Sequence, residues 1–227
     1  MKFGIVTFPG SNCDHDMFYV LNDILKQEVE FLWHKDTDLK NSDFIILPGG
    51  FSYGDYLRSG AIACMSPIMK EIIKFANSGG YVLGICNGFQ ILCESGLLPG
   101  SLLRNTNGLF VCKNIFLKTT NNKTILTRNI EQDKVLKIPI AHAEGRYFAK
   151  EETLKEIVNN DQILFKYSDL KGKLKEDKNP NGSLLNIAGI CNVNKNVFGM
   201  MPHPERASDK ELKNNHGKVL FESILSF

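Results

Sequence analysis

The ten-residue run Tyr81-Val82-Leu83-Gly84-Ile85-Cys86-Asn87-Gly88-Phe89-Gln90 constrains the fold of this chain more than any other feature. Its apolar first half reads as a buried strand, and a helical pattern begins directly after it. Between them stands Gly-x-Cys-x-Gly, the cysteine form of a strand–turn–helix junction that carries a nucleophile on a sharp, strained turn. Such a turn needs residues without side-chain bulk on both sides of the nucleophile, and Gly84 and Gly88 supply them. It also sets the Cys86 sulfur at a helix N-terminus, where exposed N–H groups favour thiolate over thiol. A buried cysteine beside two turn glycines is the plainer alternative. In open α/β sheets, ligands bind at the carboxyl ends of the strands, which is where this junction would place Cys86.

The rest of the chain agrees with such a sheet. Apolar strands are expected at Lys2–Phe8, Phe44–Leu47, Tyr81–Ile85 and Asn196–Met201, and helices near Asp14–Lys26, Ile62–Asn77 and Asn87–Glu94. That alternation predicts an α/β fold with a mainly parallel central sheet and helices on both faces. Leu102–Thr120 and Lys123–Ile140 read as shorter strands with turns, a short antiparallel extension. Lys218–Phe227 reads as a closing helix, and the lysine-rich stretch Lys166–Asn181 as an exposed loop. A chain of 227 residues can bury a substantial core, and no repeat or linker interrupts it. One domain spanning 1–227 is expected.

A partner for Cys86 lies far along the chain. Asn196-Val197-Phe198-Gly199-Met200-Met201 reads as a strand that runs into Pro202-His203-Pro204-Glu205-Arg206. Prolines on both sides of His203 fix the backbone and forbid a continuing helix or central strand. A histidine pinned at a strand end, with a carboxylate two residues on, suits a general base and the group that orients it. His142-Ala143-Glu144 repeats the His-x-Glu spacing, and spacing alone does not rank the two. The prolines favour His203 as base, while Gly145-Arg146-Tyr147 after His142 suits a substrate-binding or covering loop. His15, His34 and His216 stand in polar or helical contexts and read as surface residues.

A third element is Phe44-Ile45-Ile46-Leu47-Pro48-Gly49-Gly50-Phe51-Ser52-Tyr53-Gly54-Asp55-Tyr56. Its glycines allow close backbone approach and can turn N–H groups toward a ligand, forming an oxyanion hole with the N–H of Asn87. A phosphate loop is excluded because no Gly-Lys-Ser/Thr follows and no dinucleotide glycine fingerprint is present.

Composition removes other classes. A net charge of +2 is too near balance for nucleic-acid binding, and no nucleic-acid motif is present. Cys13, Cys64, Cys86, Cys93, Cys112 and Cys191 fall at irregular positions without a Cys-x-x-Cys pair, so neither a disulfide framework nor a metal site is expected. Most read as small buried hydrophobes in a reducing cytoplasm. No apolar segment is long enough for a membrane span, and the chain starts directly as a strand.

Pro-Gly-Gly, Gly-Ile-Cys-Asn-Gly-Phe-Gln and His-Pro-Glu, in this order, resemble the class I glutamine amidotransferases. Phe8-Pro9-Gly10-Ser11-Asn12-Cys13-Asp14, Gly50–Arg58, His142–Tyr147 and Asn179-Pro180-Asn181-Gly182-Ser183 resemble one subfamily, the glutaminase subunits of phosphoribosylformylglycinamidine synthase. The resemblance runs from about Phe3 to Arg206. It implies that Cys86 attacks the side-chain amide of glutamine, that His203 moves the protons, and that Glu205 orients His203. N–H groups near Gly50, Phe51 and Asn87 would hold the oxyanion, and Gln90 would help bind glutamine. His142, Glu144 and Arg146 would belong to a loop touching substrate or partner; Ala143, where glycine is the commoner residue, leaves that loop's backbone open. The resemblance implies no cofactor on this chain, and ATP and Mg on a large synthase subunit that consumes the ammonia, with a small accessory subunit beside it. A cysteine hydrolase acting on another amide and a non-catalytic regulatory subunit are the competing readings.

Overall fold

A computed structural model describes residues 1–226. The chain divides into two compact units, one made of Met1–Leu98 with Asn196–Gly199, the other of Pro99–Lys195 with the residues from Met200 onward.

In the first unit, β1 (Lys2–Thr7), β2 (Glu28–Trp33), β3 (Phe44–Leu47) and β4 (Tyr81–Ile85) stand in the order β2-β1-β3-β4 and pair in parallel. The strand Val197–Met200 follows β4 in the sheet, and Val82 N–H donates to the Asn196 carbonyl at 2.9 Å. Every residue of β3 is fully buried, as its unbroken apolar run requires of a central strand. The chain reaches β2 through α1 (Asp14–Phe18), which continues as a π-helical stretch over Tyr19–Ile24. It reaches β4 through α2 (Pro67–Asn77). These two connections step in opposite directions along the sheet, so right-handed crossovers put α1 and α2 on opposite faces. The third helix, α3 (Asn87–Glu94), leaves β4 at once and packs on β3 and β4.

The second unit is antiparallel. A ribbon pairs β5 (Ser101–Leu103) with β8 (Arg146–Phe148). Four longer strands, β6 (Val111–Thr119), β7 (Val135–His142), β9 (Ile163–Ser168) and β10 (Ile187–Cys191), run in the order β10-β9-β6-β7. Val197–Met200 is β11; α4 (Glu151–Asn159) and α5 (Lys218–Leu225) complete the helices. The antiparallel extension expected from sequence is therefore a four-stranded run plus a ribbon. Pro139 stands inside β7, opposite Asn114. A missing N–H is tolerated there because β7 ends the strand order.

Differences from the sequence expectations have local causes. The helix expected over Ile62–Asn77 is broken at Ser66, whose ψ of 147° is extended, as the residue before a proline prefers. The loop expected from Lys166 starts three residues later, because Lys166–Ser168 belong to β9. The closing helix ends at Leu225, and Phe227 of that expectation lies outside the described residues. Among the described residues no helix is long and apolar enough to cross a membrane.

Candidate active site

Cys86 is the residue on which β4 ends and α3 begins. Its φ of 50° and ψ of −104° lie in a region that side chains with a Cβ avoid, so the sequence-level strained turn is present in the backbone itself. The flanking glycines have a packing reason. A Cβ on Gly88 would overlap the Leu47 carbonyl oxygen, and one on Gly84 would lie 2.5 Å from the Gly88 carbonyl oxygen. The close approach of α3 to β3 fixes the height at which Cys86 emerges.

The glycine loop lies beside this turn. Gly50 has a φ of 140°, and a Cβ there would lie 2.6 Å from the Gly10 carbonyl oxygen. Phe51 N–H donates to that same carbonyl at 2.8 Å. The amide expected to serve an oxyanion is thus engaged within the protein in this structure. Beyond it, Ser52 binds the Asn87 side chain: the Asn87 Oδ1 accepts from Ser52 N–H at 3.1 Å and from the Ser52 hydroxyl. Asn87 Nδ2 donates to Gln90 Oε1 at 2.9 Å and to Asp55 Oδ1 at 3.3 Å. Gly50, Phe51, Cys86, Asn87 and Gln90 all belong to the first unit, and these bonds join the loop to the start of α3.

The aromatic loop residues separate. Tyr53 turns inward, its hydroxyl 2.6 Å from His34 Nδ1 and 3.2 Å from Ser66 Oγ. Phe51, Tyr56 and Leu57 face solvent. Arg58 pairs with Glu94 at the far end of α3, its Nε donating to Oε1 at 2.7 Å. His34, expected at the surface, is buried at the end of β2, because this inward tyrosine covers it. His15 and His216 are exposed as expected.

In the second unit His203 and Glu205 meet, with Nδ1 and Oε1 2.6 Å apart and side chains only 2% and 0% exposed. A carboxylate can only accept, so Nδ1 is the donor of this pair and Nε2 is the nitrogen turned away from it. His203 N–H donates to the Pro139 carbonyl on β7 at 2.9 Å, which fastens the histidine backbone to the sheet. This is the arrangement of a histidine base with its tautomer set by an acid.

His142, at the end of β7, is the second histidine here. It is buried, and neither ring nitrogen has a hydrogen-bond partner among the described residues. Burial, reinforced by the nearby His203, pushes its pKa down to about 4. It is therefore a neutral ring at ordinary pH. The loop after it is pinned by Asn105, whose Nδ2 donates to the His142 carbonyl at 3.0 Å and whose Oδ1 accepts from Gly145 N–H at 3.1 Å. Asn181 adds a bond to the Gly145 carbonyl at 2.7 Å. Ala143 keeps an ordinary backbone, so this position does not require glycine. Arg146 Nε donates to the Arg104 carbonyl at 3.0 Å, and Glu144 is partly exposed.

Sequence reasoning overlooked Asn105 altogether, and it gave the Asn87 side chain no part. None of the six cysteines is in a disulfide; Cys13, Cys86 and Cys191 are buried, Cys64 and Cys93 half-buried, and Cys112 exposed.

Residues 1–222 match the CobB/CobQ-like glutamine amidotransferase domain. The chain is 56% identical over 222 residues to the phosphoribosylformylglycinamidine synthase subunit PurQ of Synechocystis sp., covering 98% of this chain and 99% of that one. It is 54% identical over 226 residues to the protein of the same name from Aquifex aeolicus, covering 100% of both. Among solved structures it is similar to that of PurLQS from Thermotoga maritima, with a TM-score of 0.87 and 42% identity over 99% of this chain and 97% of that one.

Proposed function

Because the chain belongs to the CobB/CobQ-like glutamine amidotransferase family, we propose that it is the glutaminase subunit of a phosphoribosylformylglycinamidine synthase, hydrolysing glutamine to glutamate and ammonia. Full-length identity to relatives of that name carries the reading. The backbone strain at Cys86 and the acid-set tautomer of His203 agree with it.

In this reading Cys86 gives its proton to His203 Nε2 and its sulfur attacks the side-chain amide carbon of glutamine. The S–C bond forms and the carbonyl becomes an oxyanion held by backbone N–H groups near Gly50, Phe51 and Asn87. His203 then protonates the departing nitrogen, the C–N bond breaks, and ammonia leaves a glutamyl thioester. His203 next takes a proton from water, which attacks the thioester and releases glutamate and the thiol. Glu205 holds the His203 ring and stabilises it while it is charged. Gln90 serves glutamine binding, and the loop of His142, Glu144 and Arg146 serves the substrate or the partner.

Ammonia passes to a large synthase subunit, which holds ATP and Mg and converts formylglycinamide ribonucleotide to formylglycinamidine ribonucleotide, with a small accessory subunit in the complex. Residues 1–227 act as one amidotransferase domain in the cytoplasm. Hydrolysis is slow until the partner assembles. The engaged Phe51 N–H supports this, since one missing oxyanion donor lowers kcat on the order of 10²–10³-fold.

The test is glutamate release by the chain alone and in the assembled complex, with Cys86→Ala alongside. Release should rise on assembly, and Cys86→Ala should abolish glutamine-dependent synthesis while ammonia-dependent synthesis continues. Survival of both activities in Cys86→Ala would refute the nucleophile, and full activity of the isolated chain would refute the coupling.

A further inference from the structure

We infer that the Asn87 side chain, beyond its backbone N–H, positions the reacting groups by clamping the glycine loop and Gln90 to the nucleophile turn, with Ser52 and Asp55 as its counterparts. The inference rests on the amidotransferase reading above. Asn87 is 0% exposed. An amide offers two lone pairs and two N–H donors, and all four are used here. Ser52 takes both lone pairs, with its N–H and its hydroxyl; Gln90 and Asp55 take both N–H groups.

The orientation has no alternative. Reversing the amide would set its NH₂ against Ser52 N–H and its oxygen against the Asp55 carboxylate. One planar group therefore ties together the residue after Cys86, the residue after Phe51, and a residue one helical turn along α3. Those neighbours are the proposed nucleophile, an oxyanion donor and a glutamine-binding side chain. Their spacing depends on a single side chain that touches none of the reacting atoms, so Asn87 is a positioning residue through its side chain. Ser52 matters because it joins the clamp to Phe51 through one peptide bond. A displacement of about 1 Å at such a junction is enough to lower turnover on the order of 10²-fold.

A buried amide could instead serve folding alone, and the choice of variant separates the two roles. Asn87→Asp keeps the shape and the acceptors facing Ser52. It replaces the NH₂ with a carboxylate oxygen aimed at Asp55 and Gln90. In the assembled complex we expect its kcat for glutamine hydrolysis to fall on the order of 10²-fold. Co-elution with the partner on size-exclusion chromatography should report intact assembly. Adding Asp55→Asn returns a donor to face the new carboxylate, and kcat should recover by about tenfold. An active complex in which Asn87→Asp turns over like wild type overturns the inference alone. So does a double variant with no recovery. A wild-type complex that releases no glutamate overturns the amidotransferase reading and the inference with it.

Discussion

At the scale of single residues, chemistry concentrates where the chain departs from ordinary preferences. Cys86 holds a positive φ, and His142 holds a buried ring with no hydrogen-bond partner among the described residues. The second departure has a measurable consequence. The folded pKa of His142 is lowered to about 4, mainly by burial, from an ordinary value of 6.5. Between those values the unfolded chain binds a proton that the folded chain refuses. Its contribution to stability is complete above about pH 6.5 and is lost as pH falls toward 4, by about 3 kcal/mol in all. Urea unfolding of wild type and His142→Gln at about pH 7.5 and about pH 4.5 should show a shallower decline in the variant. Equal slopes would mean that His142 titrates normally. The nucleophile turn was legible because glycines on both sides of a cysteine leave few backbone solutions. The inward turn of Tyr53 over His34 was not, because hydrogen bonds between side chains distant in sequence leave no periodic trace.

At the scale of elements, α3 is fixed by contact rather than by helix propensity. Asn87 through Leu92 are all buried, so the helix has almost no solvent face along its first six residues. Gly88→Ala would drive a methyl group into the Leu47 carbonyl and should destabilise the fold by about 3 kcal/mol, read by thermal or urea unfolding. Pro67→Ala offers a contrast. Pro67 occupies the first turn of α2, where its N–H would be unpaired anyway, so the change should stay within about 0.5 kcal/mol. A large loss at Pro67 would show that the break at Ser66 needs the ring. Legibility followed burial here too. β3 and β4 announce themselves as continuous apolar runs with turn glycines behind them. β2 was missed because Glu28 and Glu30 interrupt it, as suits a strand at the end of the sheet. β9 carries the half-buried Lys166 among apolar neighbours and was read in part as loop, since one charge in the sequence outweighs a short apolar run.

At the scale of the whole molecule, neither compact unit is a continuous stretch of chain. The chain leaves the first unit at Leu98, returns for Asn196–Gly199, and leaves again. No composition shift marks those crossings, which is why a single domain was the natural expectation. Such interleaved connectivity argues for cooperative unfolding. Fluorescence of Trp33, the only tryptophan, and far-UV circular dichroism should follow one coincident urea transition. Two separated transitions would show that the units unfold independently. The Phe51–Gly10 hydrogen bond carries a further consequence at this scale. In the proposed reading, a free subunit whose oxyanion-donating N–H is held by its own backbone would spare glutamine until it assembles, so supply of ammonia would follow the number of assembled synthases rather than the number of glutaminase chains.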